Sequence, residues 1–209
     1  MVLILLRHGQ SVWNRANILT GWTDVMLSSD GTYEAVKAAS LVKNFNFDYI
    51  FASDLIRTID TATIIKNELK LNTHIETSSA LKERDYGLLT GYEKNELSKF
   101  YSKEDIYNWK NTYYGRPPNG ENLADVQKRF GNYFDNNIKS LLDDKKNILI
   151  VSHSNSLRAF FVHLGLKNER TIENFEIQNC IPIIVNIYKK TFTYITDKNK
   201  DDEYIYQYF

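Results

Sequence analysis

The chain has a single cysteine, Cys180, and only three prolines among its 209 residues. One thiol excludes an internal disulfide framework and a cysteine-built metal cage, and such scarcity suits a reducing compartment, so the expected location is the cytosol. Charge of either sign is not in excess: 26 Lys and Arg are balanced by 26 Asp and Glu. No global field therefore draws the chain to nucleic acid or to an acidic membrane, and any anion site must be built locally. Long apolar runs are also missing. The apolar start Met1 to Leu6 is too short for a secretory core or a membrane span and runs directly into Arg7-His8, so it reads as a buried strand. No repeat, low-complexity segment or linker rich in Gly, Ser or Pro marks a boundary, which leaves one domain over 1–209 as the expectation. Apolar residues make up 43% of the chain, enough for one full core.

What is present alternates short apolar runs with longer helical periods. Val2 to Leu6, Tyr49 to Ala52 and Ile148 to Val151 are strand-length runs without polar alternation, as expected for strands covered on both faces. After the turn Ser28-Ser29-Asp30-Gly31, apolar residues recur at Ala35, Ala38, Ala39 and Val42, a buried helical stripe. Ser53 can cap a helix carrying Leu55, Ile56, Ile59, Ala62 and Ile65. Asn155 to Leu164 gives another helix, and Glu121 to Leu142 a long amphipathic one. The alternation predicts an α/β three-layer sandwich, a mainly parallel sheet with helices on both faces. Ile181 to Tyr188 and Tyr204 to Tyr208 read as late strands of unassigned direction. The stretch from about 80 to 120 breaks the pattern, with Gly87, Gly91, Gly115 and Pro117-Pro118, and is expected to form a helical lid. Ligands of such sheets bind beyond the carboxyl ends of the strands, so the lid would roof the site.

The residues that carry chemistry fall at strand ends. Arg7-His8-Gly9 closes the first strand and Gln10-Ser11-Val12-Trp13-Asn14 can open a helix, placing two cation-capable side chains beside a helix N-terminus. Alone the tripeptide is a weak signal, and His8 reads equally well as a hydrogen-bonded histidine at a strand end. A second such corner, Ile148 to Ser152 followed by His153 and then Ser154 to Arg158, lets two histidines face each other across one phosphate. Arg57 lies in the first turn of the helix after Tyr49 to Ala52, where the macrodipole favours anions rather than cations. It is therefore expected to point at an anion, with a surface salt bridge as the alternative.

These parts answer the needs of phosphoryl transfer, whose transition state spreads negative charge over three equatorial oxygens. Arg7, Arg57 and His153 can clamp those oxygens, since guanidinium forks match phosphate bidentately. His8 is the candidate nucleophile, a neutral imidazole held through its other nitrogen. Glu83, in Leu81-Lys82-Glu83-Arg84-Asp85-Tyr86-Gly87, is the candidate acid and base, although its residue type alone also fits a solvated loop charge. His74 and His163 read as structural, and no carboxylate or histidine cluster has metal-ligand spacing, so no metal is expected.

Arg7-His8-Gly9-Gln10-Ser11-Val12-Trp13-Asn14 resembles the signature of the histidine phosphatase superfamily. Thr20-Gly21-Trp22-Thr23-Asp24, Glu83-Arg84-Asp85-Tyr86-Gly87 with Gly91 and Lys94, and His153-Ser154-Asn155-Ser156-Leu157-Arg158-Ala159 resemble its cofactor-dependent phosphoglycerate mutases, the short bacterial-type branch. The resemblance runs from Val2 to about Tyr188. It implies that His8 is phosphorylated, that Arg7, Asn14, Arg57 and His153 hold the phosphate, and that Glu83 is acid and base. Ser11, Thr20, Gly21, Tyr86, Lys94 and Asn155 would line the rest of the substrate site. The implied activity is interconversion of 3-phosphoglycerate and 2-phosphoglycerate, primed by 2,3-bisphosphoglycerate as cofactor, in an enzyme of a small-molecule phosphate substrate that the resemblance makes a homodimer or homotetramer.

Two departures stand out. Where the mutases carry two arginines after a tryptophan, this chain has Trp109-Lys110-Asn111, and Arg116 would restore a positive charge to the same lid; Ser154 replaces a usual glycine. Three readings follow: a mutase, a phosphatase of sugar phosphates or small phosphate esters on the same fold, and a non-enzymatic module. The last predicts loss of at least one of Arg7, His8, Arg57, Glu83 and His153, and all five are kept.

Overall fold

The computed structural model describes residues 1–200. At its centre is a six-stranded sheet of order β3-β2-β4-β1-β5-β6. The strands are β1 (Leu3–Arg7), β2 (Tyr49–Ala52), β3 (Ile75–Thr77), β4 (Ile148–Ser152), β5 (Ile183–Asn186) and β6 (Thr191–Tyr194). The first four run parallel, and β5 and β6 are antiparallel to their neighbours. The two central strands read as unbroken apolar runs because both of their faces are covered. Leu3, Leu5, Ile148 and Ile150 enter a core with Phe130, Phe134 and Phe160, whereas Ile4, Leu6, Leu149 and Val151 enter one with Ala35, Ala38, Ala62 and Ile65. Each of these large side chains contributes roughly 1.5–3 kcal/mol on leaving water, before conformational entropy is charged.

Helices α2 (Ser29–Leu41) and α3 (Ile56–Glu68) cover one face, and α5 (Leu123–Asn137) and α7 (Ser154–His163) the other. The short α1 (Val12–Arg15) follows β1, capped by Ser11 in a reciprocal box with Asn14. Several expectations are corrected. The stretch Ser28 to Gly31 is not a separate turn but the start of α2, because the Ser28 hydroxyl accepts from the Gly31 amide. The predicted helix Glu121 to Leu142 divides at the fully buried Ile138 (φ −115°), leaving α5 and the short α6 (Lys139–Asp143). Ser53 does not cap α3; Leu55 takes that position with no side-chain cap. Of the late strands, Ile181 to Tyr188 contains β5, Tyr204 to Tyr208 lies outside the described residues, and β3 and β6 are additions.

The segment from about 80 to 120 consists of short 3-10 turns and one exposed helix, α4 (Lys103–Asn111), which contains no buried residue. It lies over a cavity of about 700 Å³ bordered by the carboxyl end of β1 and the first turns of α3 and α7.

Candidate active site

Register decides where the two histidines meet. Arg7 of β1 pairs with Ser152 of β4, and the His8 amide donates to the Ser152 carbonyl at 3.0 Å, so the residue following each strand emerges at the same level. The His8 and His153 rings lie 4.9 Å apart, edge to face. His8 Nδ1 is 2.6 Å from the Gly9 carbonyl oxygen. A carbonyl can only accept, so Nδ1 carries the proton and Nε2 keeps its lone pair. Asn179 donates to the His8 carbonyl at 2.7 Å and steadies the same turn. Gly9 cannot be replaced there, because a Cβ would run into the Gly31 carbonyl.

Burial, then the charges of Arg57 and Arg7, hold the His8 pKa well below its ordinary value. His153 is pushed in the same direction by burial, then by Arg57 and His8. Both rings are therefore neutral at neutral pH. His153 Nε2 is 2.8 Å from Ser53 Oγ, which is itself 2.7 Å from Thr58 Oγ1. Among the described residues His153 Nδ1 has no partner, although it is buried. A buried polar atom left so is uncommon and marks a place where a ligand oxygen fits.

The arginines are anchored as well as aimed. Arg7 donates from Nη1 to the Ile177 carbonyl at 2.8 Å and leaves Nε without a protein partner. Arg57, only 1% exposed, donates to the carbonyls of Gly21 and Thr23 at 2.8 and 2.9 Å. It therefore both borders the cavity and pins the loop carrying Thr20 and Gly21, rather than making a surface salt bridge. Burial lowers its pKa to about 10, against the pull of Glu83 and Asp24, so it remains charged at neutral pH.

Glu83 is buried, not a solvated loop charge. Its Oε1 accepts the backbone amides of Arg84 (2.8 Å) and Asn155 (3.2 Å), the latter in the first turn of α7. Its carbonyl accepts from Trp22 Nε1 and from Arg129, whose guanidinium also bridges Glu121 at 2.9 Å. Two loops and two helices thus fix one carboxylate. The Asn155 side chain donates in turn to the Tyr86 hydroxyl at 2.9 Å, and Arg158 donates to Asn155 Oδ1 at 3.0 Å.

The cavity is bordered by Arg7, His8, Asn14, Thr20, Gly21, Arg57, Glu83, Tyr86, Lys94, Lys110 and Asn155, which the sequence singled out. Three residues so named do not border it. Ser11 is fully buried as the α1 cap, and His153 is fully buried against His8. Arg116 is turned away, bound to Asp125 at 2.6 Å and to the Gly120 carbonyl, so it does not stand in for the missing lid arginine. Sequence reasoning missed Arg158, Glu34 and the wall from Glu173 to Asn179. Arg158 lay inside a motif; the wall is irregular chain without a periodic signal. Among the described residues no group of three or more His, Cys, Asp or Glu could hold a metal ion, and no helix is long and apolar enough to cross a membrane.

Comparison with known proteins agrees with this geometry. The chain is 33% identical to a 2,3-bisphosphoglycerate-dependent phosphoglycerate mutase of Methanococcus vannielii, over 97% of this chain and 99% of that one. It is 38% identical to an enzyme of the same name from Cytophaga hutchinsonii, over 87% and 85%. Among solved structures, a mycobacterial glucosyl-3-phosphoglycerate phosphatase superposes with a TM-score of 0.81 at 20% identity, covering 93% of this chain and 97% of that one. An Entamoeba histolytica phosphoserine phosphatase with bound 3-phosphoglyceric acid gives 0.77 at 22%, covering 93% and 95%. These two likenesses establish the α/β sandwich alone. The model of the histidine phosphatase superfamily, branch 1, matches residues 3–199. With paired strand-end histidines and a buried carboxylate beside them, the chain belongs to that superfamily, whose enzymes act on phosphate esters through a phosphohistidine.

Proposed function

We propose that the chain is a phosphatase of small anionic phosphate esters, sugar phosphates included, that passes the phosphoryl group through His8 to water. His8 Nε2 attacks phosphorus in line, and the bond from phosphorus to the ester oxygen breaks. Arg7, Arg57, Asn14 and His153 hold the three equatorial oxygens, where negative charge accumulates. Glu83, as the carboxylic acid, protonates the departing oxygen; as the carboxylate, it then takes a proton from the water that attacks the phosphohistidine. That second attack releases inorganic phosphate and restores the neutral imidazole.

The observation that carries this reading is the lid. Lys94 and Lys110 are its cations at the cavity, Asn111 follows as a neutral amide, and Arg116 is spent on Asp125. A mutase has to retain a doubly anionic intermediate and exclude water while histidine carries the phosphate, and a lid with one lysine and one amide after Trp109 grips and seals less.

A second reading is favoured by specific residues. Thr20, Gly21, Tyr86, Lys94 and Asn155 all border the cavity, and relatives at 33 and 38% identity are named phosphoglycerate mutases. In that reading 2,3-bisphosphoglycerate primes His8, and the hydroxyl of phosphoglycerate replaces water as the acceptor. Incubation with 2,3-bisphosphoglycerate and 3-phosphoglycerate, measuring inorganic phosphate and 2-phosphoglycerate together, separates the two. Phosphate release in excess of isomerisation is expected. Isomerisation faster than release would establish the mutase instead, and a His8→Ala protein that still turned over would overturn both.

A further inference from the structure

Arg84 is among the largest fully buried side chains of the described structure, at 2% exposure, yet it has no carboxylate partner there. Its Nη1 donates to the Trp109 carbonyl at 2.7 Å, its guanidinium carbon sits 4.8 Å from the centre of the Tyr86 ring, and its Nε has no partner. A guanidinium withdrawn from water without a counter-ion is costly, so its one strong acceptor is informative. Trp109 lies in the last turn of α4, where carbonyls lack intrahelical partners and the helix end attracts cations. That helix buries no residue of its own; at this end Trp109 makes an edge contact with Tyr101, 5.1 Å between ring centres. Lys110 and Asn111, the two residues of α4 that border the cavity, directly follow the gripped carbonyl. At its other end Arg84 donates its backbone amide to Glu83 Oε1 at 2.8 Å.

We infer that Arg84 is a positioning residue, a buried latch that sets the lid helix over the substrate in step with Glu83 beneath it. It acts through Lys110, and so determines how strongly the enzyme prefers an ester whose leaving group carries a second anion. This preference rests on the phosphate-ester reading above; the latch itself does not. The side chain joins the lid's C-terminal carbonyl to the residue next to the acid, so lid placement and acid placement share one rigid link.

The test uses Arg84→Lys, which keeps the charge and loses the fork, and Arg84→Met, each alone and combined with Lys110→Ala. With 3-phosphoglycerate, Arg84→Lys should raise KM about tenfold or more, the range for loss of a charged hydrogen bond, with a smaller fall in kcat. With p-nitrophenyl phosphate, whose leaving group carries no second anion, KM should move much less. In the Lys110→Ala background Arg84→Lys should add little to the KM for 3-phosphoglycerate, because both changes remove the same contact. Effects that multiply in the double variant, or equal losses on both esters, would show that Arg84 merely supports the fold.

Lid release is read separately by limited trypsin digestion of the ligand-free proteins at Lys103 and Lys110, at a temperature where thermal melts show wild type and Arg84→Lys folded. Faster cleavage in Arg84→Lys is expected even if Arg84→Met fails to fold, and unchanged cleavage would overturn the latch. A wild-type protein that turned over neither ester would refute the functional reading, while the digestion would still decide the latch.

Discussion

Replacing Ser53 by alanine tests how the site holds its second histidine. The Ser53 hydroxyl is fully buried and lies 2.8 Å from His153 Nε2. His153 Nδ1 already lacks a protein partner, so the substitution leaves both ring nitrogens of a buried imidazole unsatisfied on the protein side. An orphaned buried polar group costs about 1–3 kcal/mol. Loss of a single oxygen leaves a small void, so that penalty dominates. With a urea dependence of about 2 kcal/mol per molar, the unfolding midpoint should fall by roughly 0.5–1.5 M. Turnover should suffer as well, because His153 loses the group that fixes its orientation and tautomer. If the misplacement weakens transition-state contact by about 1.4–2.8 kcal/mol, kcat/KM falls ten- to hundredfold. Urea melts followed by tryptophan fluorescence, and steady-state rates on p-nitrophenyl phosphate, measure both effects. Ser53→Cys, with a weaker donor of similar size, should fall between wild type and alanine. An alanine variant with an unchanged midpoint and rate would show that the Ser53–His153 contact does not position the ring.

Glu83→Gln keeps the shape of the carboxylate but removes its proton transfer, and should slow turnover by about two to four orders of magnitude while circular dichroism stays native; near wild-type rates would move the role to Asp85 or to water. Acid should destabilise the protein through His8 and His153, whose pKa values are both depressed on folding. Their contribution is complete above the unfolded value of about 6.5 and is lost as pH falls from there toward the folded values, at up to about 1.4 kcal/mol per pH unit for each ring. Thermal melts across pH 7.5 to 5 should show this slope, and it should be shallower in His153→Gln; equal slopes would remove His153 from the account. Arg116→Ala breaks a half-exposed bridge to Asp125 and an exposed hydrogen bond to the Gly120 carbonyl, so stability should fall by about 1 kcal/mol at most and the ratio of phosphate release to isomerisation should not change. A change in that ratio would return Arg116 to the substrate site.

What the sequence conveyed was what strands convey well. The runs at β1, β2 and β4 are apolar on both faces, so their ends, and the histidines and arginine just beyond them, could be placed at one edge of the sheet. Side-chain direction was not so readable. Ser53 stands where a helix cap is common, yet its hydroxyl turns to His153 because the register of β2 on β4 brings them together. Arg116 was misjudged for a similar reason: its partner, Asp125, belongs to the first turn of a helix whose start the lid residues do not reveal. The wall from Glu173 to Asn179 carries no periodicity, and it takes its place from tertiary contacts, with Arg7, His8 and Arg158 through hydrogen bonds and with Phe161 and Phe192 through Phe175. The break at Ile138 was hidden because the amphipathic pattern continues across it.

The pairing of β1 with β4 has a consequence for how the protein comes into being. His8 leaves the ribosome long before β4, the strand that brings His153 beside it. No local hairpin or helix pair can assemble the two early; a long loop has to close first, and such distant pairings form slowly. A nascent or truncated chain lacking β4 therefore carries the nucleophile without the second histidine and is expected to be chemically silent. Phosphoryl chemistry begins only once β4 has paired with β1, and a fragment ending before Ile148 should neither consume nor sequester phosphorylated metabolites.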